Sequence, residues 1–501
     1  MTSQRKVGVV LGYVNIVVKN LVNLIYTPML LAFVGQADYG VFQTSNSFVF
    51  SLSLLSFGFS GAYIRFYMQK KVHGNAQEIR SLNGLYLMLY LIVSVVALVL
   101  GLLFAVNVEM FFSGSFTSDQ VDLAGTLMAI MAVSVASTLF STVFDAYIMV
   151  HEEFRFQQTR QLFTALATPF VTLGLLCLGM GAVGAALAQL AVNVILLLLN
   201  TRFAVEKLGM RFDIRHFDTK LFKAIVVFSS WIFVNQICDL VNQSVPNILL
   251  GAISGAVAVS VFAISIQIRS VFVSLSTAMS GVFIPKINKI VATSDDNTVL
   301  TQLMTRVGRY QMILFCWVYC GFVLLGQFFI TAWAGADFLD AYYLICAMAL
   351  PLGVPLCQNT GIEIQRAKNR HKTRSLILLG MAIVNVVFTL VASAYLGYWA
   401  PAIAYIASIT LGNGIFMNWY YHKRIGLDML FFWKKSMPIV VVSAGLTVVG
   451  FVVLHFVPVT NWLVFFAWGI VYSAVFTAVM WAIVLNKDEK ATISSKLPIK
   501  R

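Results

Sequence analysis

Residues 8–34 read GVVLGYVNIVVKNLVNLIYTPMLLAFV. A run of this length is more than enough to cross a hydrocarbon core of about 30 Å as a helix rising 1.5 Å per residue. Lys19 stands close to its middle. A cation in mid-membrane costs roughly 2.5–3.5 kcal/mol on insertion scales, so such a group faces a partner or a water-filled cavity. Gly12, Asn15, Lys19, Asn23 and Tyr26 follow at spacings of three and four, which sets them on one helix face. Two readings stand: a polar seam against a neighbouring helix, since Asn hydrogen-bonds across helices, or one wall of a cavity. The lysine favours the cavity.

The rest of the chain has the same character. Of 501 residues, 59% are hydrophobic and 11% charged, against about 25% charged in a typical soluble domain. We count fourteen apolar runs, near 8–34, 41–66, 82–106, 122–148, 161–179, 182–201, 223–250, 254–283, 307–330, 341–361, 375–396, 399–420, 437–456 and 461–485. The expected fold class is therefore all-α integral membrane, and little chain is left over for a soluble domain.

Charge sets the orientation. All but two of the 34 Lys and Arg residues fall in the N-terminal segment, in alternate loops or the ends of the runs beside them, or in the C-terminal tail, and the exceptions, Lys19 and Arg269, lie deep inside runs. Basic loops stay cytoplasmic, so both termini are expected there, in agreement with an even number of spans. The net charge of +14 is then a topology signal, and nucleic acid is not an expected partner. The first run is too long for a signal-peptide core and lacks a small-residue cleavage site. The six cysteines form no Cys-x-x-Cys pair, and the histidines lack ligand spacing. No metal or cofactor is expected, and no phosphate-binding Gly-x-x-x-x-Gly-Lys motif occurs.

Residues 25–68 carry a resemblance. Pro28-Met-Leu-Leu is followed by Gly35, then Tyr39-Gly40, then Phe57-Gly58 with Ala62 and Arg65. In this order the features resemble the opening of the polysaccharide transporter family, the Wzx-type oligosaccharide flippases of the multidrug/oligosaccharidyl-lipid/polysaccharide (MOP) exporter superfamily. Further along, Glu153-Phe154-Arg155-Phe156, Ile284-Pro285-Lys286-Ile287 and Ala367-Lys368-Asn369-Arg370 resemble the family's cytoplasmic turns. One departure is that Ala32 follows Leu31 where a Leu-Arg pair is common, so no gating role passes to that position.

The chain also resembles itself. Pro28 leads to Gly35 and Val41-Phe42, and Pro246 leads to Gly251 and Val261-Phe262. With the family resemblance, this implies two six-helix lobes in a parallel, MATE-like pseudo-repeat. The expected divisions are 1–202 for the N-lobe, 203–222 for a cytoplasmic linker, 223–421 for the C-lobe, 422–485 for two further helices and 486–501 for a disordered cytoplasmic tail. The added helix pair is open to two readings, a groove for a lipid tail, as in the related lipid II flippases, or a packing face.

Three charges fall near the middles of their runs: Lys19, Asp239 and Arg269. Exposed to lipid, together they would cost about 8–10 kcal/mol. Asn235 and Asn242 share a helix face with Asp239. One reading is an ion pair that locks three helices, which can be close to neutral for stability. It leaves one cation over, and Arg matches phosphate oxygens in bidentate fashion. The candidate substrate-binding set is Lys19, Arg269, Asp239, Asn15, Asn23, Asn235 and Asn242, with no catalytic residue.

The resemblance implies a non-enzymatic flippase that moves undecaprenyl-diphosphate-linked oligosaccharide, an O-antigen, capsule or exopolysaccharide unit, between leaflets of the bacterial cytoplasmic membrane. Membrane lipids, a polysaccharide polymerase and a chain-length regulator are the implied partners. The alternatives are a MATE-like multidrug/ion antiporter, a lipid II flippase and a membrane polymerase. The last would need a large outer loop or acidic motif, and the longest outer loop, 107–121, carries only Glu109 and Asp119.

Overall fold

The computed structural model describes residues 3–214, 218–280, 287, 290–291, 296–368, 370 and 372–494. Among them there is no strand, and thirteen helices are long and apolar enough to cross a membrane. This is the fold class expected, since in lipid every backbone N–H and C=O must be paired within its own segment. The described chain packs as two compact units. One is Met1–Ala263 with Thr389–Tyr398; the other is Ile264–Phe388 with Trp399–Arg501.

The first unit holds α1 (Ser3–Val34), α2 (Gln36–Ser51), α3 (Phe59–His73), α4 (Ala76–Val106), α5 (Val108–Phe112), α6 (Ser118–Val150), α7 (Phe154–Cys177), α8 (Gly181–Lys207), α9 (Thr219–Gln243) and α10 (Val245–Ser254). Polar caps mark where helices leave the apolar layer. Asn75 accepts from the Glu78 amide at 2.9 Å ahead of α4, and Thr117 forms a capping box with Gln120 ahead of α6. The run expected as one helix over 41–66 bends between α2 and α3, where Phe57 takes a positive φ of 50° and stacks on Phe233 at 3.8 Å between centroids. The run expected over 223–250 is two helices that meet at Ser244. Pro246 is the physical reason: it has no N–H to continue α9, and its fixed φ suits the first turn of α10.

A buried tyrosine cluster fills the space among α3, α4 and α6: Tyr63, Tyr67, Tyr86, Tyr90 and Tyr147. Tyr63 Oη donates to Asn83 Oδ1 at 2.7 Å, and Asn83 Nδ2 donates to the Arg211 carbonyl at 3.0 Å. The Asp213 amide donates to the Arg80 carbonyl at 2.9 Å, and Met210 is buried. Residues 208–214 of the expected linker therefore lie strapped across α4 and α6.

The second unit begins within α11 (Ala256–Ser280) and continues with α12 (Asn297–Trp333), α13 (Leu339–Cys357), α14 (Asn359–Ala367), α15 (Lys372–Leu396), α16 (Trp399–Ile425), α17 (Met429–Phe456), α18 (Trp462–Val484) and α19 (Lys487–Ser494). Residues 372–388 of α15 belong here, while its last turns, with the two residues after them, belong to the first unit as Thr389–Tyr398. Wide π turns run through the second half of α16, and Asn418 Nδ2 donates to the Asn413 and Gly414 carbonyls, each at 2.9 Å.

Candidate functional site

Helix α1 divides its polar face between two uses. Asn15 is buried, and its Nδ2 donates to the Gln158 carbonyl at 2.8 Å and to Gln158 Oε1 at 2.6 Å. Tyr26 Oη lies 3.5 Å from Thr172 Oγ1. Both contacts are with α7, so this part of the face is the interhelical seam. Lys19 and Asn23 are exposed. The lysine thus stands off the seam, on a face where water, headgroups or a ligand can reach it.

On α9, the side chains of Asn235 and Asp239 lie outside the described residues, and the expected pairing of Asp239 with a cation lies there too. Asn242 is half-buried in the last turn of α9. One turn into α10, Asn247 is 6% exposed and its Nδ2 donates to Ser47 Oγ at 3.0 Å. Thr44, also buried, donates to the Gly40 carbonyl at 2.9 Å within α2. The turns that resemble family features at 284–287 and at Asn369 also include residues outside the described set.

Arg269, on α11 in the second unit, is 7% exposed. Its guanidinium carbon lies 4.1 Å from the centroid of the Tyr405 ring, and Nη1 approaches Met348 Sδ at 3.9 Å. Among the described residues no carboxylate bridges it. A ring face returns about 2 kcal/mol to a desolvated cation, whereas burial costs several kcal/mol per ion. A thioether sulfur is a weak acceptor. Among the described residues the guanidinium is therefore held by a ring face and a thioether alone.

Two acidic residues near helix ends have local partners. Asp145 pairs with Arg160 at 2.7 Å, and Glu363 pairs with Arg366 at 2.8 Å. Arg160 also donates to Asn200 Oδ1 at 2.7 Å. One buried pair escapes a reading of the sequence. Arg309, counted there among loop cations, pairs with Glu489 from the segment expected to be disordered. The signal available was local only: Asn486 followed at the third position by Glu489 is the half of a capping box that announces a helix.

The architecture has solved counterparts. The lipid II flippase MurJ, in an inward closed conformation, superposes with a TM-score of 0.75 at 14% identity, covering 94% of this chain and 99% of that one. An inward-facing multidrug resistance MATE family transporter of the MOP superfamily gives a TM-score of 0.61, also at 14% identity, over 81% of this chain and 94% of that one. These define the class, an all-α multi-pass membrane protein with the fold found in that flippase and that transporter. Within it, the chain belongs to the polysaccharide biosynthesis protein family, whose sequence profile matches residues 6–291, more than half its length. The membrane protein EpsK of Bacillus subtilis (strain 168), described as uncharacterized, is 24% identical over 477 residues, 93% of each chain. The family reading drawn from residues 25–68 is met by the profile match, and the MATE-like fold by the solved structures.

Proposed function

We propose that this protein is a flippase that carries undecaprenyl-diphosphate-linked oligosaccharide from the inner to the outer leaflet of a bacterial cytoplasmic membrane, with both termini in the cytoplasm. The observation that carries the reading is Arg269, buried against Tyr405 and Met348 with no carboxylate bridge among the described residues. A diphosphate supplies the missing charge, and Arg binds phosphate oxygens two at a time. Lys19 and Asn23, exposed on α1, and Asp239, Asn235 and Asn242 on α9 complete the proposed substrate set. Asn15, engaged with Gln158, positions α1 rather than reaching the ligand. Transport proceeds by alternating access of two six-helix lobes, 1–202 and 223–421. A polymerase and a chain-length regulator receive the product.

The family and the transporter fold also accommodate a MATE-like antiporter of amphipathic cations. A buried arginine with no carboxylate bridge among the described residues disfavours that cargo by like-charge repulsion. Transbilayer movement of a lipid-diphosphate oligosaccharide in proteoliposomes separates the readings. Arg269→Ala and Lys19→Ala are each expected to slow movement by about ten- to a hundredfold, the equivalent of one or two charge-assisted hydrogen bonds. Equal rates in all variants would make both cations structural. No movement in the wild type, with proton- or sodium-driven export of a cationic dye, would favour the antiporter.

A further inference from the structure

The C-terminal segment after Leu485 is polar and basic, with the composition of a solvated tail. In the structure its first part is α19, and Glu489 in its first turn is turned inward. The Glu489 carboxylate accepts from Arg309 Nε at 2.6 Å and Nη2 at 2.9 Å, and both side chains are 6% exposed. Glu489 Oε2 also accepts from the Asn486 amide at 2.9 Å. Arg309 spends its other donors on backbone: Nη2 donates to the Val484 carbonyl at 2.9 Å, and Nη1 donates to the Lys435 carbonyl. One guanidinium thus joins four segments: its own α12, α17 through Lys435, the end of α18 through Val484, and α19.

The same helices are closely fitted along their length. A Cβ on Gly308 of α12 would stand 2.6 Å from the Phe432 ring, one on Gly321 would stand 2.9 Å from the Tyr472 ring, and one on Gly450 of α17 would stand 2.7 Å from Leu324. Tyr472 Oη donates to the Trp317 carbonyl at 2.8 Å, and Trp317 Nε1 donates to Ser473 Oγ at 3.1 Å. Small residues at helix crossings allow this depth of interlock in a membrane. Near the cytoplasmic end, where α17 begins and α18 ends, the contact with Arg309 closes the assembly.

We propose that α19 is a latch: the Glu489–Arg309 pair holds α17 and α18 against α12, so that the two helices added to the twelve-helix core move with α12 as one body. A bidentate, desolvated pair suits this role because it is directional and its rupture leaves a buried charge alone. A surface tether would do neither. The backbone acceptors add polarity to the site: two carbonyl oxygens point at position 309, so a donor is required there, and exchanging the two side chains would set a carboxylate against them.

Hydrogen–deuterium exchange of the full chain in lipid nanodiscs tests the latch without knowledge of the cargo. In Glu489→Gln, amides of 489–494 are expected to lose protection by about tenfold or more, and those of 432–440 and 480–485 to follow, while 124–148 of α6 remain as in the wild type. Fast exchange of 489–494 in the wild type would overturn the proposal. So would a rise confined to the tail, because the segment would then brace nothing. If Glu489→Gln does not accumulate in the membrane, Glu489→Asp, which keeps the charge but shortens its reach, should give the same pattern at about threefold; unchanged protection at 432–440 in that variant overturns it equally.

Discussion

Gly35 and Gly255 share one backbone conformation, φ 82° with ψ 168° and φ 86° with ψ 174°, and each starts the helix that follows it. Six residues beyond them stand Val41-Phe42 and Val261-Phe262. This region is open in practice only to glycine, and side chains placed there cost about 1–3 kcal/mol each. Gly35→Ala meets no atom within 4 Å, so it should show the backbone cost alone. In Gly255→Ala the new methyl stands 3.1 Å from the Ser115 carbonyl oxygen, and the loss should be larger. Thermal denaturation of the two variants in detergent checks the order.

Gly84 lets the 208–214 strap lie on α4: a Cβ there would stand 2.0 Å from the Asp213 carbonyl oxygen. Gly84→Ala should lift the strap, breaking the Asn83–Arg211 and Asp213–Arg80 contacts, at about 1–3 kcal/mol for the forced shift. Limited trypsin digestion is the readout, since Arg211 lies in the strap. The variant should be cut there in conditions that leave the wild type whole.

Arg269 should cost stability in the empty protein. Its burial against Tyr405 and Met348 leaves desolvation only partly offset, and buried charges replaced by apolar side chains of similar volume are often neutral or stabilising by about 1–4 kcal/mol. Arg269→Met is therefore expected to hold or raise the melting temperature while transport falls. Loss of both together would mark a structural arginine.

The latch should ignore changes of pH near neutrality. Burial pushes the Glu489 carboxyl up, but hydrogen bonds from Arg309 and the Asn486 amide, with the charges of Arg309 and Arg306, outweigh it and hold the group below the usual carboxylate range. A folded value below the unfolded one, about 4.3 for Glu, stabilises at higher pH, and that stability is lost only as pH falls through the depressed value. Exchange of 489–494, corrected for intrinsic rates, should therefore be flat between pH 5 and 8.

Much of the architecture was legible because membrane insertion writes locally. Length of apolar runs and segregation of Lys and Arg are properties of contiguous sequence, so the class, most of the spans and the polar face of α1 could be read from residues 8–34 outward. Pro246 was visible too, though its effect was not: whether a proline bends a helix or divides it depends on what packs against the turn. The internal likeness pointed to Gly251 as the counterpart of Gly35; the backbone puts Gly255 there, because the match is one of conformation and spacing to Val261-Phe262 rather than of the residues before it. Polar α1 positions looked equivalent by periodicity, yet Asn15 went to Gln158 while Lys19 stayed open, a division made by where α7 lies. Arg269 over Tyr405 joins residues 136 positions apart in the chain, and Arg309 with Glu489 joins residues 180 apart. No local pattern encodes such meetings. The sequence by itself determined that this chain crosses a membrane many times and carries charge inside it; only the tertiary structure decided that Arg309 meets Glu489 and that Arg269 lies over Tyr405, because that depends on helices brought side by side by packing.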